Sequence, residues 1–299
     1  MQLSEIYQNH RRVISFELYP PTKPEAEAVL FEREVPRLIE LEPAYMTCTY
    51  GAGGSTRDKT LEVVTRLRHE FGVPTAAHLT CVGASRDEIA AYLERIRQAG
   101  ITNLVALRGD PPRGEKTFVP HPRGFRYATE LVRFINQLGG FDVAVAGYPE
   151  AHPECPDKFL DWLRCRDKVE AGGDVIITQL FYDTRDFYEF REHLTKILKV
   201  NVPVVPGVLP ISNTAQIKRF CGMCGSRLPP RVLERLDKYV DDPESCRQYG
   251  VELATEMSEE LLREGAPGLH FYVLNRARSI VQIMNNLTSD SMTAEPPAS

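Results

Sequence analysis

Ten polar or aromatic residues stand where short apolar runs stop, and as a set they could do chemistry that none could do alone. They are Glu17, Thr49, Tyr50, His78, Arg108, Asp110, Tyr148, His152, Gln179 and Arg276. The densest stop is Arg108-Gly109-Asp110-Pro111-Pro112, which delivers a cation, a flexible glycine and a carboxylate before two prolines end any strand or helix. Taken alone, that run reads equally well as a tight turn with a solvated aspartate. Three chemistries could use the set. Metal-assisted hydrolysis would make ligands of His78, His152, Glu17 and Asp110, but the chain lacks the His-x-His pair with which barrel metal sites often begin. Schiff-base chemistry needs a lysine inside the site, but no lysine falls at any strand end, and Lys168 sits on a polar helical stretch. A bound organic cofactor doing redox or one-carbon chemistry fits better. Groups that can hydrogen-bond a planar ring (Thr49, His78, Gln179) mix with aromatics that can stack on one (Tyr50, Tyr148, Phe181). No metal is expected.

These residues need a scaffold that collects strand ends. Eight apolar runs, at 13–16, 44–48, 74–77, 103–107, 143–147, 174–177, 202–205 and 269–272, read as buried parallel strands. Most lie roughly 30 residues apart, the length of a strand plus its crossover helix. Amphipathic stretches such as 86–99 and 128–137 fill the intervals with apolar residues at helical spacing. Eight such units predict a (β/α)8 TIM barrel, whose strand ends share one mouth. An open doubly wound sheet is the alternative, but no Gly-x-Gly-x-x-Gly follows any of the runs.

Composition narrows the partners. The chain has 299 residues, 42% of them hydrophobic, and barrels of about 250 residues form one domain, so residues 1–287 are expected to be a single barrel. No apolar run approaches the roughly 18 residues of a membrane span, and the polar stretch 1–12 lacks the hydrophobic segment of a signal peptide. A net charge of -5 argues against a nucleic-acid binder. Seven scattered cysteines suit free thiols in a reducing cytoplasm. The pair Cys221-Gly-Met-Cys224 has no second pair at zinc-site spacing, so it is read as chance. Residues 288–299, small and polar with two prolines, are expected to be a disordered tail.

Eight motifs in order give the chain a resemblance. They are Ser15-Phe-Glu-Leu-Tyr-Pro-Pro21, Thr49-Tyr50-Gly51, Ala77-His-Leu-Thr-Cys81, Ala106-Leu-Arg-Gly-Asp-Pro-Pro112, Ala146-Gly-Tyr-Pro-Glu-Ala-His-Pro153, Ile177-Thr-Gln-Leu-Phe181, Pro206-Gly-Val-Leu-Pro210 and His270-Phe-Tyr-Val-Leu-Asn-Arg276. The chain resembles the methylenetetrahydrofolate reductases, and its length resembles their compact bacterial form. The resemblance implies FAD as cofactor, NADH or NADPH as hydride donor, methylenetetrahydrofolate as substrate and a cytoplasmic homo-oligomer, with no nucleic acid or membrane as partner. It makes Glu17 the general acid, and burial among Phe16, Leu18 and Tyr19 is expected to favour its neutral form. Asp110 would hold the pterin and influence the flavin, as the second catalytic residue. Gln179, Gln216, Phe220, Tyr272 and Arg276 would bind folate beside Glu17 and Asp110. For FAD the matching positions are Thr49, Tyr50, His78, Leu107, Arg108, Gly109, Asp110, Tyr127, Ala128, Ala146, Tyr148, His152, Asp161, Arg164 and Lys168. Asp167 departs from the family pattern and would be unfavourable beside a pyrophosphate. A flavin-free folate-binding barrel, serving as a methyl carrier or partner protein, is the alternative function.

Overall fold

A computed structural model describes residues 1–50, 57–111, 114–115 and 117–287. Gly51, Pro112 and the expected tail, 288–299, lie outside the described residues. The strands are β1 (Val13–Leu18), β2 (Tyr45–Cys48), β3 (Thr75–Thr80), β4 (Asn103–Leu107), β5 (Asp142–Gly147), β6 (Val175–Thr178), β7 (Val204–Val205), β8 (Gly207–Val208) and β9 (Gly268–Tyr272). A helix, α1 (Leu3–Asn9), precedes them. Between β1 and β2 run α2 (Pro24–Val29) and α3 (Val35–Ile39), joined by a π-turn at Leu30–Glu34. Single helices α4 (Arg57–Glu70), α5 (Arg86–Gln98), α6 (Ala128–Leu138), α7 (Lys158–Glu170) and α8 (Thr184–Glu192) follow β2 to β6. The last crossover carries α9 (Thr214–Cys224), α10 (Pro230–Lys238) and α11 (Pro243–Arg263), and α12 (Ala277–Asn286) follows β9.

All strand pairs are parallel, in the order β7-β6-β5-β4-β3-β2-β1-β9-β8. The two ends of that order are halves of one chain segment, split at Pro206. Before the proline, Val204 and Val205 pair with Ile176 and Ile177 of β6; after it, Gly207 and Val208 pair with His270 and Phe271 of β9. Proline has no N–H to give a ladder, but its carbonyl still accepts from His270 N at 3.0 Å. The expected seventh run, 202–205, is therefore shorter at its start and resumes beyond the proline, which closes the (β/α)8 ring. The expected helices 86–99 and 128–137 appear as α5 and α6. A capping box starts α5: Ser85 accepts from Glu88 N, and the Glu88 carboxylate accepts from Ser85 N at 2.8 Å.

Strand alternation divides the apolar residues into two cores. Val13, Tyr45, Ala76, Val105, Ala144, Val175, Ile177 and Val205 fill the barrel, where Leu3 and Ile6 of α1 join them. The other face of each strand packs against the helices. The floor is fixed by polar contacts as well: Leu3 N donates to Asn103 Oδ1 at 2.9 Å and Ser4 N to Asp142 Oδ2 at 2.8 Å. Among the described residues no helix is long and apolar enough to cross a membrane.

Candidate active site

The inward-facing series on β1 is Val13, Ser15, Glu17, so Glu17 sits inside the strand, near its carboxyl end. Its Oε2 lies 3.3 Å from His78 Nε2 on β3 and 3.4 Å from His270 Nε2 on β9. Thr47 Oγ1 on β2 is 3.3 Å from the same nitrogen of His78. Burial alone would push the Glu17 carboxyl up, but the charge and hydrogen bonds of His78 and His270 outweigh it and hold the group down at about 2. The neutral form expected from the apolar neighbours in sequence is thus not the form these surroundings favour. Phe16 and Leu18 point into the outer core, and Glu17 meets imidazoles instead.

His270 is tied on its far side as well. Its Nδ1 is 2.8 Å from Ser15 Oγ, one layer deeper in the barrel. When the Nε2 tautomer donates to Glu17, Nδ1 is left to accept from Ser15. Tyr272, the next inward residue on β9, sets its ring edge-on to His270 at 5.4 Å and donates to Thr178 O at 2.6 Å. Gly207 makes room for that ring, since a methyl there would lie 2.7 Å from the Tyr272 hydroxyl.

Across the mouth, the loops after β4 and β5 assemble a second cluster. Gly109 has φ +85, and a Cβ on it would meet Val82 Cγ2 at 2.6 Å, so the backbone lies flush against the end of β3. Arg108 is held by Glu154, with Nη2 2.7 Å from Oε1. Tyr148 and His152 meet edge to face at 4.8 Å, and Trp162 Nε1 of α7 donates to Tyr148 O at 3.0 Å. Lys168 Nζ reaches back from α7 to donate to Ala146 O at the end of β5. Burial raises the Asp161 carboxyl, against the pull of Lys168 and His152. Burial lowers His152, and the positive charge of Arg108 adds to the effect. Asp110, exposed on the rim, adds negative charge beside Arg108 and Tyr148. Leu107 and Thr49 are partly buried at their strand ends.

A third region lies over α9. Gln216 and Arg276 line one groove of about 530 Å³ together with Ser212, Asn213, Arg219 and Pro243. Phe220 is partly buried, one turn beyond Gln216. Gln179 folds its side-chain oxygen onto Leu180 N at 2.9 Å. Asn275 clasps the β1 loop in both directions, accepting from Tyr19 N at 3.0 Å and donating to Tyr19 O at 2.8 Å. Leu274 and Asn275 both have positive φ, a tight reversal that sets Arg276 at the start of α12.

Several expected residues stand elsewhere. The Tyr50 ring turns outward against Tyr92 at 6.3 Å, and its hydroxyl accepts from Arg57, so it is not a ring for stacking at the mouth. Phe181 is fully buried against Phe187. Arg164 is exposed on α7 and reaches Asp161 only by its charge. Tyr127 is half exposed at the start of α6 with Ala128 beside it. Asp167 is paired with Arg166 at 2.8 Å. Cys221 is buried, with its thiol pushed up to about 12, and Cys224 donates to Phe220 O. Among the described residues no group of three or more His, Cys, Asp or Glu is placed to hold a metal ion. Sequence reasoning missed His270, Ser15, Glu154 and Asn275 as site residues. The spacing Ser15-x-Glu17 and His270-x-Tyr272 was a usable signal, because residues two apart on a strand face the same way.

The family model for methylenetetrahydrofolate reductase matches residues 2–288. A methylenetetrahydrofolate reductase (NADH) 1 of Arabidopsis thaliana is 39% identical over 297 residues, covering 96% of this chain and 50% of the plant protein. The 5,10-methylenetetrahydrofolate reductase of Escherichia coli (strain K12) is 36% identical over 274 residues, covering 92% of this chain and 90% of the bacterial one. The chain thus spans about half the length of the plant relatives and most of the bacterial one. A solved Clostridium thermocellum protein, described as binding two copies of 5-methyl-5,6,7,8-tetrahydrofolic acid, superposes with a TM-score of 0.66. It is 17% identical and covers 96% of this chain and 97% of its own, a likeness of fold.

Proposed function

Since the chain belongs to the methylenetetrahydrofolate reductase family, we propose that it reduces 5,10-methylenetetrahydrofolate to 5-methyltetrahydrofolate with NADH or NADPH as donor and FAD as resident cofactor. The observation that carries this reading is a carboxylate held between two imidazoles, Glu17 with His78 and His270, across one mouth from the charged cluster on the β4 and β5 loops.

The cluster fits the flavin nucleotide. Lys168 and Arg108 supply cations for a pyrophosphate, and Asp161 supplies an acceptor for a ribose hydroxyl. The lack of a side chain at Gly109 lets its backbone pack directly on Thr80 and Val82 at the end of β3. FAD held there would supply hydride transfer from the nicotinamide to the one-carbon unit. The protein must do the rest. The bridging methylene is unreactive in its five-membered ring until the leaving nitrogen is protonated, which opens the ring to an electrophilic iminium. Glu17 delivers that proton. Its carboxyl is held down at about 2 by the histidines, and with 17% of the side chain exposed water still reaches it. Flat ligands over the mouth remove that water, which raises the carboxyl's proton affinity, and the neighbouring imidazoles are the local store of protons. Asp110 and Gln179 address the pterin, Tyr272 and Phe220 its faces, and Arg276 the glutamate carboxylate above the α9 groove. The barrel works in the cytoplasm as a homo-oligomer on this reading.

The protein should purify yellow, with the visible band of oxidised flavin lost after denaturation and filtration. Lys168→Ala should bind FAD about tenfold more weakly with its fold intact, since losing one charge-assisted contact costs on the order of 1.5 kcal/mol. A colourless protein that takes up no added FAD would overturn the reductase reading and leave the flavin-free folate barrel.

A further inference from the structure

The barrel interior is asymmetric. On the β4 to β7 side it holds Val105, Ala144, Val175, Ile177 and Val205. On the β9, β1 and β2 side it holds a file of polar groups, and these continue well below the residues that meet ligands. His270, Ser15 and Tyr45 are all fully buried. The ladder puts them at one level, with Ser15 aligned to His270 on one side and to Tyr45 on the other. His270 Nδ1 is 2.8 Å from Ser15 Oγ, and Tyr45, the cross-strand partner of that serine, lays its ring over His270 at 6.3 Å. Tyr45 OH then lies 3.0 Å from Tyr7 OH, on the floor helix α1. Tyr7 is only partly buried. Burying polar groups in an apolar barrel is unfavourable unless each is hydrogen-bonded, and here the partners form a line.

We propose that Tyr45 and Tyr7 extend the Glu17–His270–Ser15 contact into a proton route through the barrel to solvent at the floor helix. The inference rests on the reading of Glu17 as the proton donor to folate. Each turnover strips Glu17 of a proton while flat ligands cover the mouth and exclude water there. The file reloads it from below. Glu17 takes the Nε2 proton of His270, whose Nδ1 takes the Ser15 hydroxyl proton. Ser15 takes the proton of Tyr45, Tyr45 that of Tyr7, and Tyr7 one from water. Every O–H or N–H bond broken is matched by one formed, and nothing is oxidised or reduced. Burial raises both phenols above their ordinary range, so each acts as a neutral hydroxyl that passes a proton as it receives one.

Tyr45→Phe removes the hydroxyl and keeps the ring that stacks on His270 at 6.3 Å. Stopped-flow kinetics in mixtures of light and heavy water separate the two half-reactions. In the parent, flavin reoxidation by methylenetetrahydrofolate should vary with deuterium fraction along a curve, because several protons move together. Tyr45→Phe should slow that step about tenfold, part of what a general acid contributes, and make the dependence linear. Reduction by NADH should keep its parent rate. Tyr7→Phe, on the partly exposed helix, should act in the same direction. If both variants keep the parent's rate and curvature, the route is wrong. Equal slowing of both half-reactions also overturns it, since it marks a structural role. A parent that takes up FAD but does not react with methylenetetrahydrofolate would instead sink the reductase reading.

Discussion

Glu17 shows how far a residue's neighbours in space can reverse what its neighbours in sequence suggest. Phe16 and Leu18 face the helices, and the carboxylate shares the interior with His78 and His270. Glu17→Gln keeps the size but cannot hold the proton. Folate-driven reoxidation of the flavin should fall at least about 100-fold, and reduction by the nicotinamide should change little; separate stopped-flow traces decide it. The same residue predicts a pH effect on stability. Its folded carboxyl lies near 2 and its ordinary value is 4.5, so the stabilisation is present above 4.5 and is lost as pH falls towards 2. At about 1.4 kcal/mol per unit, the difference between parent and Glu17→Gln in urea unfolding should shrink by up to about 3 kcal/mol over that range. Glu17, His78 and Arg108 were legible because strand ends advertise themselves. Tyr50 and Phe181 were misread because the alternation that sorts inward from outward stops being reliable at the first residues past a strand.

At the level of elements, seven of the eight expected strands appear near their expected places, and the remaining one is split at Pro206. Pro206 reads as a terminator in sequence, yet the chain stays extended through it and pairs on both sides. Gly207 then has no room to change. A methyl there would lie 2.2 Å from Thr178 O, a backbone atom, as well as against Tyr272. Gly207→Ala should cost about 3 kcal/mol or more in urea unfolding, with Tyr272 displaced from Thr178 and folate binding weakened in the surviving folded protein. The loop clamps were not legible. Arg108 finds Glu154, and Arg227 finds both Glu150 and Asp186. Such pairs join residues tens of positions apart, and one sequence offers no signal for which charges will meet.

On the scale of the whole molecule, the barrel is a polar file set in an apolar interior, with α1 as its floor. The apolar content of the chain and its strand–helix rhythm foretold the barrel, but nothing in the polar stretch 1–12 marked it as a floor. Its two apolar anchors, Leu3 and Ile6, are completely buried. Leu3→Ala should cost about 2–5 kcal/mol, read as a lower urea midpoint. Flavin content at low temperature should hold, since the mouth lies at the opposite end of the strands.

The floor also constrains how the protein is made. Leu3 and Ser4 dock on Asn103 and Asp142, which are synthesised a hundred or more residues later. At about 5–20 residues per second, a ribosome leaves α1 without its socket for roughly 5–30 s, with two large aliphatic side chains exposed. The ring itself cannot shut until β9 has emerged to pair with β1. A nascent chain of this protein therefore spends most of its synthesis as an open sheet with a free edge, and its yield in a cell depends on what shelters that edge.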